Sequence, residues 1–156
     1  MNRDESIRFA TKYLEDLLSF FGINVAVWST VEDDVIQLSI PSTSLNSLLI
    51  GKNADNLRAL QQIVSLSLAA REAELTRVNV DVADYKRQRA DRIAEKAEKW
   101  IAEVRRNGGS KTIELNAADR RVVHKVAQDY SDIETYSEGE GRARHLIIRK
   151  KEDENI

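Results

Sequence analysis

Apolar side chains recur every three or four positions in several stretches of the chain, which is the spacing of a helix with one buried face. This spacing predicts four helices and one shorter helix, over residues 6–21, 54–71, 84–106, 116–130 and 45–49. Gly22 follows the first of these stretches and Gly51 lies two positions after the short one, and glycine readily adopts the left-handed conformation that closes a helix. We therefore expect a helix to end at each of these glycines.

Other stretches alternate between apolar and polar residues, which is typical of strands with one buried face. They predict strands over residues 23–30, 35–40, 75–82 and 111–115, and two more within 132–151 joined by a glycine-containing turn. Helices and strands thus follow one another in mixed order. The sequence predicts an α+β fold, with the long helix over 84–106 joining two domains.

Polar residues before two of the helices are candidate caps. We expect Ser42, Thr43 or Ser44 to cap the short helix, and Asn116 to cap the helix over 116–130. Asp119 follows Asn116 by three positions, where the acid of a capping box would stand.

The charges are balanced over the whole chain but unevenly distributed. The 156 residues are 42% hydrophobic and carry 24 basic and 26 acidic side chains, a net charge of −2. Residues 84–111, however, hold 9 basic and 5 acidic side chains. Because salt screens exposed charges beyond about 8–10 Å, a phosphate responds to the nearest patch rather than to the total. Lys86, Arg87 and Arg89 form such a patch at the start of the long helix.

Several classes of enzyme lack their sequence signature here. There is no cysteine, no Walker A sequence and no third glycine in SEGEGRAR to complete a dinucleotide fingerprint. The histidines, His124 and His145, do not have the spacing of a metal-binding HExxH motif. We expect no enzymatic activity, no cofactor and no metal, in a soluble cytoplasmic protein without a signal peptide or membrane insertion.

The segment LIGKNADNLRAL, residues 49–60, places Gly51, Lys52, Asn53 and Ala54 between two predicted helices. The first N–H groups of a helix lack partners within the helix and attract anions, so this loop is suited to a phosphate. The alternative is a plain turn between helices that is closed by a glycine. If Ala54 needs a positive φ, alanine costs about 1 kcal/mol or more there, whereas at a helix start it fits without strain.

Two motifs in this order resemble the Jag family, the SpoIIIJ-associated proteins. LIGKNADNLRALQQIVSL is similar to the loop region of its type II KH domain, although Ala54 stands where the family's GxxG loop has its second glycine. DRRVVH contains Arg120 and His124, the Arg-xxx-His pair of an R3H domain, four residues apart and therefore on one helix face. The alternative is structural, with Arg120 paired to an acid and His124 packed against a sheet.

The resemblance implies a type II KH domain over 1–83, an R3H domain over 84–151 and a frayed tail over 152–156, in a short form without the family's N-terminal Jag domain. It implies a regulator that clamps single-stranded RNA, or single-stranded DNA, with both domains. The alternative is a module that pairs with another KH protein or with itself and binds RNA weakly. The expected RNA-binding residues are Gly51, Lys52, Asn53, Ala54, Arg58, Lys86, Arg87, Arg120, Arg121, His124 and Arg144.

Overall fold

The computed structural model describes residues 1–152, which divide into two compact units, one over Met1–Lys86 and a second that begins at Arg87. Both combine helices with a three-stranded sheet, so the α+β prediction is confirmed. The expected boundary between residues 83 and 84 remains a prediction. Of the tail expected at 152–156, residues 153–156 lie outside the described part.

The first unit contains three helices, one 3₁₀ turn and three strands. In chain order they are α1 (Arg3–Ser19), β1 (Trp28–Glu32), β2 (Val35–Ile40), α2 (Asn46–Ile50), the 3₁₀ turn (Lys52–Ala54), α3 (Asp55–Ala70) and β3 (Val78–Val82). The sheet has the order β1-β2-β3, with β2 antiparallel to β1 and parallel to β3. The inward residues of β2 and β3 pack with the apolar faces of α1 and α3 in one core.

Helix α1 begins three residues before the predicted start because Asn2 and Glu5 form a capping box. The Asn2 Oδ1 atom accepts a hydrogen bond from the Glu5 backbone N–H at 2.9 Å, and Glu5 Oε2 accepts one from the Asn2 N–H at 2.9 Å. These reciprocal bonds satisfy two donors that a helix end otherwise leaves without partners.

The predicted strand over 23–30 was wrong at its start. Ile23 and Val27 are buried in the core, but the strand begins only at Trp28. It then continues to Glu32 and turns into β2 through Asp33 and Asp34, which have φ of 50° and 61°. In this stretch the alternation of apolar residues therefore indicates which side chains are buried, but not where the strand begins.

The predicted side-chain cap of α2 was also wrong. Leu45 occupies the cap position and provides no side-chain hydrogen bond. Thr43 instead receives a bond at its Oγ1 atom from the Leu45 N–H at 3.1 Å, and its own N–H donates to Asn46 Oδ1 at 2.8 Å. The hydrogen bonds of Thr43 thus stabilise the segment that precedes α2, and no side chain in the described part of the chain caps the helix itself.

The second unit is built on a fully antiparallel sheet. Its elements are α4 (Tyr85–Asn107, which starts two residues before the unit boundary), β4 (Ser110–Ile113), α5 (Ala117–Ala127), β5 (Ile133–Glu138), a 3₁₀ turn (Gly141–Ala143) and β6 (His145–Lys150). The strand order is β4-β6-β5. Helices α4 and α5 bury apolar residues against one face of this sheet.

Candidate nucleic-acid interface

Gly51 adopts a conformation that suits glycine and ends α2 as predicted. Its φ is 74° and its ψ is 178°, and its N–H donates to the Ser47 carbonyl at 2.9 Å. A Cβ atom at this position would lie 2.7 Å from Cγ of Asn56. Both the backbone angle and the neighbouring side chain therefore require glycine here.

Asn56 connects the two helices that flank this loop. Its Nδ2 atom donates to the Leu48 carbonyl at 2.8 Å, and Leu48 lies in the last turn of α2 while Asn56 lies in the first turn of α3. The loop over Gly51–Ala54 is therefore held from within the unit. Sequence reasoning did not single out Asn56, because the motif alone does not show which carbonyl an amide side chain reaches.

Ala54 has a left-handed backbone, with φ 60° and ψ 25°, directly after Asn53, which has φ 55° and ψ 29°. Of the two possibilities for Ala54, the structure thus has the strained one, and helix α3 begins only at Asp55. For a residue with a Cβ atom this conformation costs roughly 1–2 kcal/mol. Ala54 thus adopts the backbone conformation that a glycine would adopt without strain, but at an energetic cost.

The exposed side chains at the tip of this loop are those of Lys52 and Asn53. Arg58, one turn into α3, forms an ion pair with Asp55 through its Nη2 atom. An anion at the start of α3 would therefore meet one flexible cation at Lys52, and a second at Arg58 that already has a carboxylate partner.

Lys86 is held inside the first unit. Its Nζ atom donates to Gln61 Oε1 at 3.1 Å and to Asn79 Oδ1, and its backbone N–H donates to Asp81 Oδ1 at 3.2 Å. Burial lowers the pKa of Lys86, and the nearby Arg58 adds to that effect, while Asp81 opposes it. Lys86 thus lies beside Arg58 in a partly buried polar cluster, whereas Arg87 is exposed.

Asp119 does not serve as a capping-box acid. The Asn116 side chain caps α5 as predicted, accepting from the Asp119 N–H at 2.9 Å. The Asp119 carboxylate, however, is 5% exposed and accepts from Arg89 Nη2 at 3.0 Å. This bond joins α4 to α5 within the second unit, so at least one cation of the expected basic patch has a structural contact.

His124 lies against strand β5. Its Nδ1 atom is 2.6 Å from Thr135 Oγ1 and its Nε2 atom is 3.2 Å from Ser137 Oγ. Thr135 and Ser137 alternate along β5 and so share one face of the strand. The alternation of Thr135 and Ser137 is visible in the sequence, but the sequence does not show that α5 packs over that face of the strand.

Arg120 is bound to main-chain carbonyls rather than to an acid within residues 1–152. Its Nη1 atom donates to the Leu115 carbonyl at 2.6 Å and to the Arg144 carbonyl at 3.4 Å. Burial, with Arg120 and Arg144 nearby, lowers the pKa of His124, which favours the neutral form of the ring. The structure therefore brings Arg120, His124 and Arg144 together, and Arg121 is exposed at the next helix position.

Two further properties of residues 1–152 concern function. Among them, no group of three or more histidine, aspartate or glutamate residues is placed to hold a metal ion. None of their helices combines the length and the apolar character needed to cross a bilayer.

Comparison with known proteins identifies relatives of both units. The R3H domain family matches residues 88–150. A protein of Clostridium symbiosum named RNA-binding protein KhpB is 29% identical over 149 residues, which are 92% of this chain and 66% of the relative. The KhpB protein of Bacillus subtilis is 32% identical over 108 residues, 67% of this chain and 52% of the relative. A KhpB protein of Streptococcus pneumoniae is 24% identical over 137 residues, 87% of this chain and 42% of the relative. This chain thus spans two thirds or less of the length of these relatives.

Proposed function

This chain belongs to the Jag family and carries an R3H domain, and on that premise we propose that it is a cytoplasmic regulator that binds single-stranded RNA. The relatives that it matches are named RNA-binding proteins. The observation that carries the proposal is the arrangement of Arg120, His124 and Arg144 within the segment that matches R3H. Two guanidinium groups beside a neutral imidazole offer charged donors to a phosphate and a flat ring to a base.

The loop over Gly51–Ala54 is the second contact in this proposal. The first unit has the element order helix, strand, strand, helix, helix, strand, which supports its assignment as a type II KH domain. The loop is held by Asn56, so it loses little conformational entropy when a ligand binds to it. Lys52 and Asn53 are then the side chains that reach the RNA backbone, with bases along the adjacent groove.

Salt-dependent binding tests this proposal. We expect a short fluorescein-labelled oligouridine to bind the full chain with an affinity that falls as the salt concentration rises. A plot of log affinity against log salt concentration should have a slope of about −0.7 for each phosphate neutralised. A variant with Lys52→Asp and Asn53→Asp should lose most of this affinity while it remains folded. A control with Lys12→Asp and Asn24→Asp makes the same change in charge at exposed positions of the same unit and should retain it. Equal affinities of the two variants would exclude the loop as a contact.

A second candidate function is protein pairing, and an exposed apolar groove favours it. Phe21, Leu48 and Ile63 are 51%, 48% and 42% exposed, and they line a groove of about 240 Å³ between α2 and α3. Such a surface fits another KH protein or a second copy of this chain. Co-purification from cells with and without ribonuclease distinguishes the two functions, because direct protein contacts survive the loss of RNA.

A further inference from the structure

The connection between β5 and β6, residues 139–144, is closely folded. Gly139 has φ 89°, and a Cβ atom there would lie 2.9 Å from the Ala143 carbonyl oxygen. Within the connection, the Ala143 N–H donates to the Glu140 carbonyl at 3.2 Å and the Arg144 N–H donates to the Gly141 carbonyl at 3.3 Å. Two of the residues it presents to solvent, Arg142 and Arg144, are cations.

Two arginine side chains hold this connection in place. Arg144 closes it from within, since its Nη1 atom donates to the Gly139 carbonyl at 2.9 Å. Arg120 holds it from α5, because a single Nη1 atom donates both to Leu115, just before the helix, and to the carbonyl of Arg144. The guanidinium of Arg120 therefore bridges two main-chain segments that are far apart in sequence.

We infer that Arg120 is a positioning residue, which fixes the connection over 139–144 so that Arg142 and Arg144 make the direct contacts with RNA phosphates. This inference rests on the proposed function and redistributes the roles within the contact made by Arg120, His124 and Arg144. Both Arg120 and Arg144 lower the pKa of His124, which places their charges near one ring. Within residues 1–152, the Arg142 side chain has no hydrogen bond or ion pair, so no internal bond is lost when it meets a phosphate.

A direct contact and a positioning role differ in what a lysine can replace. Lysine keeps the positive charge for a phosphate, but its Nζ atom ends one bond short of the position of Arg120 Nη1 and is carried on a more flexible stem, so it is not held against both carbonyls. Arg120→Lys should therefore lose almost as much affinity for RNA as Arg120→Ala does. Arg142→Lys, in contrast, should bind RNA nearly as well as the unmodified protein. Lys96→Ala, which removes an exposed cation from α4 of the same unit, is the control for loss of charge alone.

The free protein gives a readout that does not depend on RNA. In hydrogen exchange, the amides of Ala143 and Arg144 should exchange about tenfold faster in both Arg120 variants, because local opening of the connection becomes easier. They should be unchanged in the Arg142 variants and in Lys96→Ala. Thermal unfolding of each variant checks that the unit remains folded. If Arg120→Ala does not fold, the exchange and binding measurements are made on Arg120→Lys alone.

Affinity for labelled oligouridine completes the test. We expect a loss of about tenfold for Arg120→Ala, Arg120→Lys and Arg142→Ala, and less than about twofold for Arg142→Lys and Lys96→Ala. Full affinity of Arg120→Lys, with unchanged exchange at Ala143 and Arg144, would overturn the inference and leave RNA binding intact. If the unmodified chain does not bind oligouridine, the proposed function fails and the phosphate contacts fail with it. The exchange result still decides whether Arg120 positions the connection.

Discussion

The side chain of Asn56 occupies the space that a Cβ atom of Gly51 would need, with Cγ 2.7 Å from that position. The same side chain donates to the carbonyl of Leu48 and so fixes the end of α2. Gly51 is therefore required by the fold of the loop itself, whether or not a ligand binds there. A test of Gly51 must separate its backbone angle from its contact with Asn56.

Replacing Gly51 by alanine should destabilise the first unit by about 2 kcal/mol. The backbone angles of Gly51, φ 74° and ψ 178°, are adopted almost only by glycine and contribute at least about 1 kcal/mol, and displacing Asn56 and breaking its bond to Leu48 contributes about 1 kcal/mol. Gly22→Ala is the control for a positive φ alone, since Gly22 has φ 77° but nothing within 4 Å of the added Cβ atom. It should cost only about 1 kcal/mol in urea unfolding.

A double variant separates the two terms further. Removing the Asn56 side chain first should lower the added cost of Gly51→Ala by about 1 kcal/mol, to the cost of the Gly51 backbone angles alone. If Gly51→Ala costs no more than Gly22→Ala in the unmodified background, the contact with Asn56 contributes nothing to the requirement for glycine.

Replacing Ala54 by glycine should leave the stability unchanged or raise it by up to about 1 kcal/mol. Glycine relieves the left-handed strain, roughly 1–2 kcal/mol, but it loses about 0.5–1 kcal/mol through the greater freedom of the unfolded chain. Ala59→Gly, at an exposed position inside α3, should instead destabilise by about 1 kcal/mol. Chemical unfolding measures both, and equal losses would mean that the conformation of Ala54 carries no strain.

Local patterns predicted the elements but not the contacts that set the details of the site. Helical spacing placed Arg120 and His124 on one face, and the glycine after the short helix marked its end, because both depend only on neighbours in sequence. The left-handed angle of Ala54 depends on how α2 and α3 are joined. The bond from Arg89 to Asp119 links residues 30 apart. Neither follows from a motif.

The half-buried position of His124 predicts a pH dependence of stability. Its pKa is lowered in the folded state by burial and by Arg120 and Arg144, so below about pH 6.5 the unfolded chain binds more protons than the folded one. Stability should therefore fall as the pH drops from about 6.5 through the folded pKa, and should be insensitive to this group above that range.

A His124→Gln variant isolates this contribution. Glutamine retains a hydrogen-bonding group near Thr135 but cannot gain a charge, so the variant should lose less stability than the unmodified protein between about pH 7 and pH 5. Carboxylates contribute a slope of their own, so the difference between the two unfolding series is the measured quantity. Parallel series would show that His124 has the same proton affinity in the folded and unfolded chains.

Asp119→Asn should destabilise the second unit by about 2 kcal/mol, because it removes a charge that is buried against Arg89. Asparagine keeps the size of the side chain and one bond to the guanidinium, which limits the loss. Asp16→Asn is the control, since its pair with Lys12 is exposed and contributes less than about 0.5 kcal/mol. Thermal and urea unfolding compare the two. A loss at Asp119 no larger than at Asp16 would mean that the link between α4 and α5 depends on apolar packing alone.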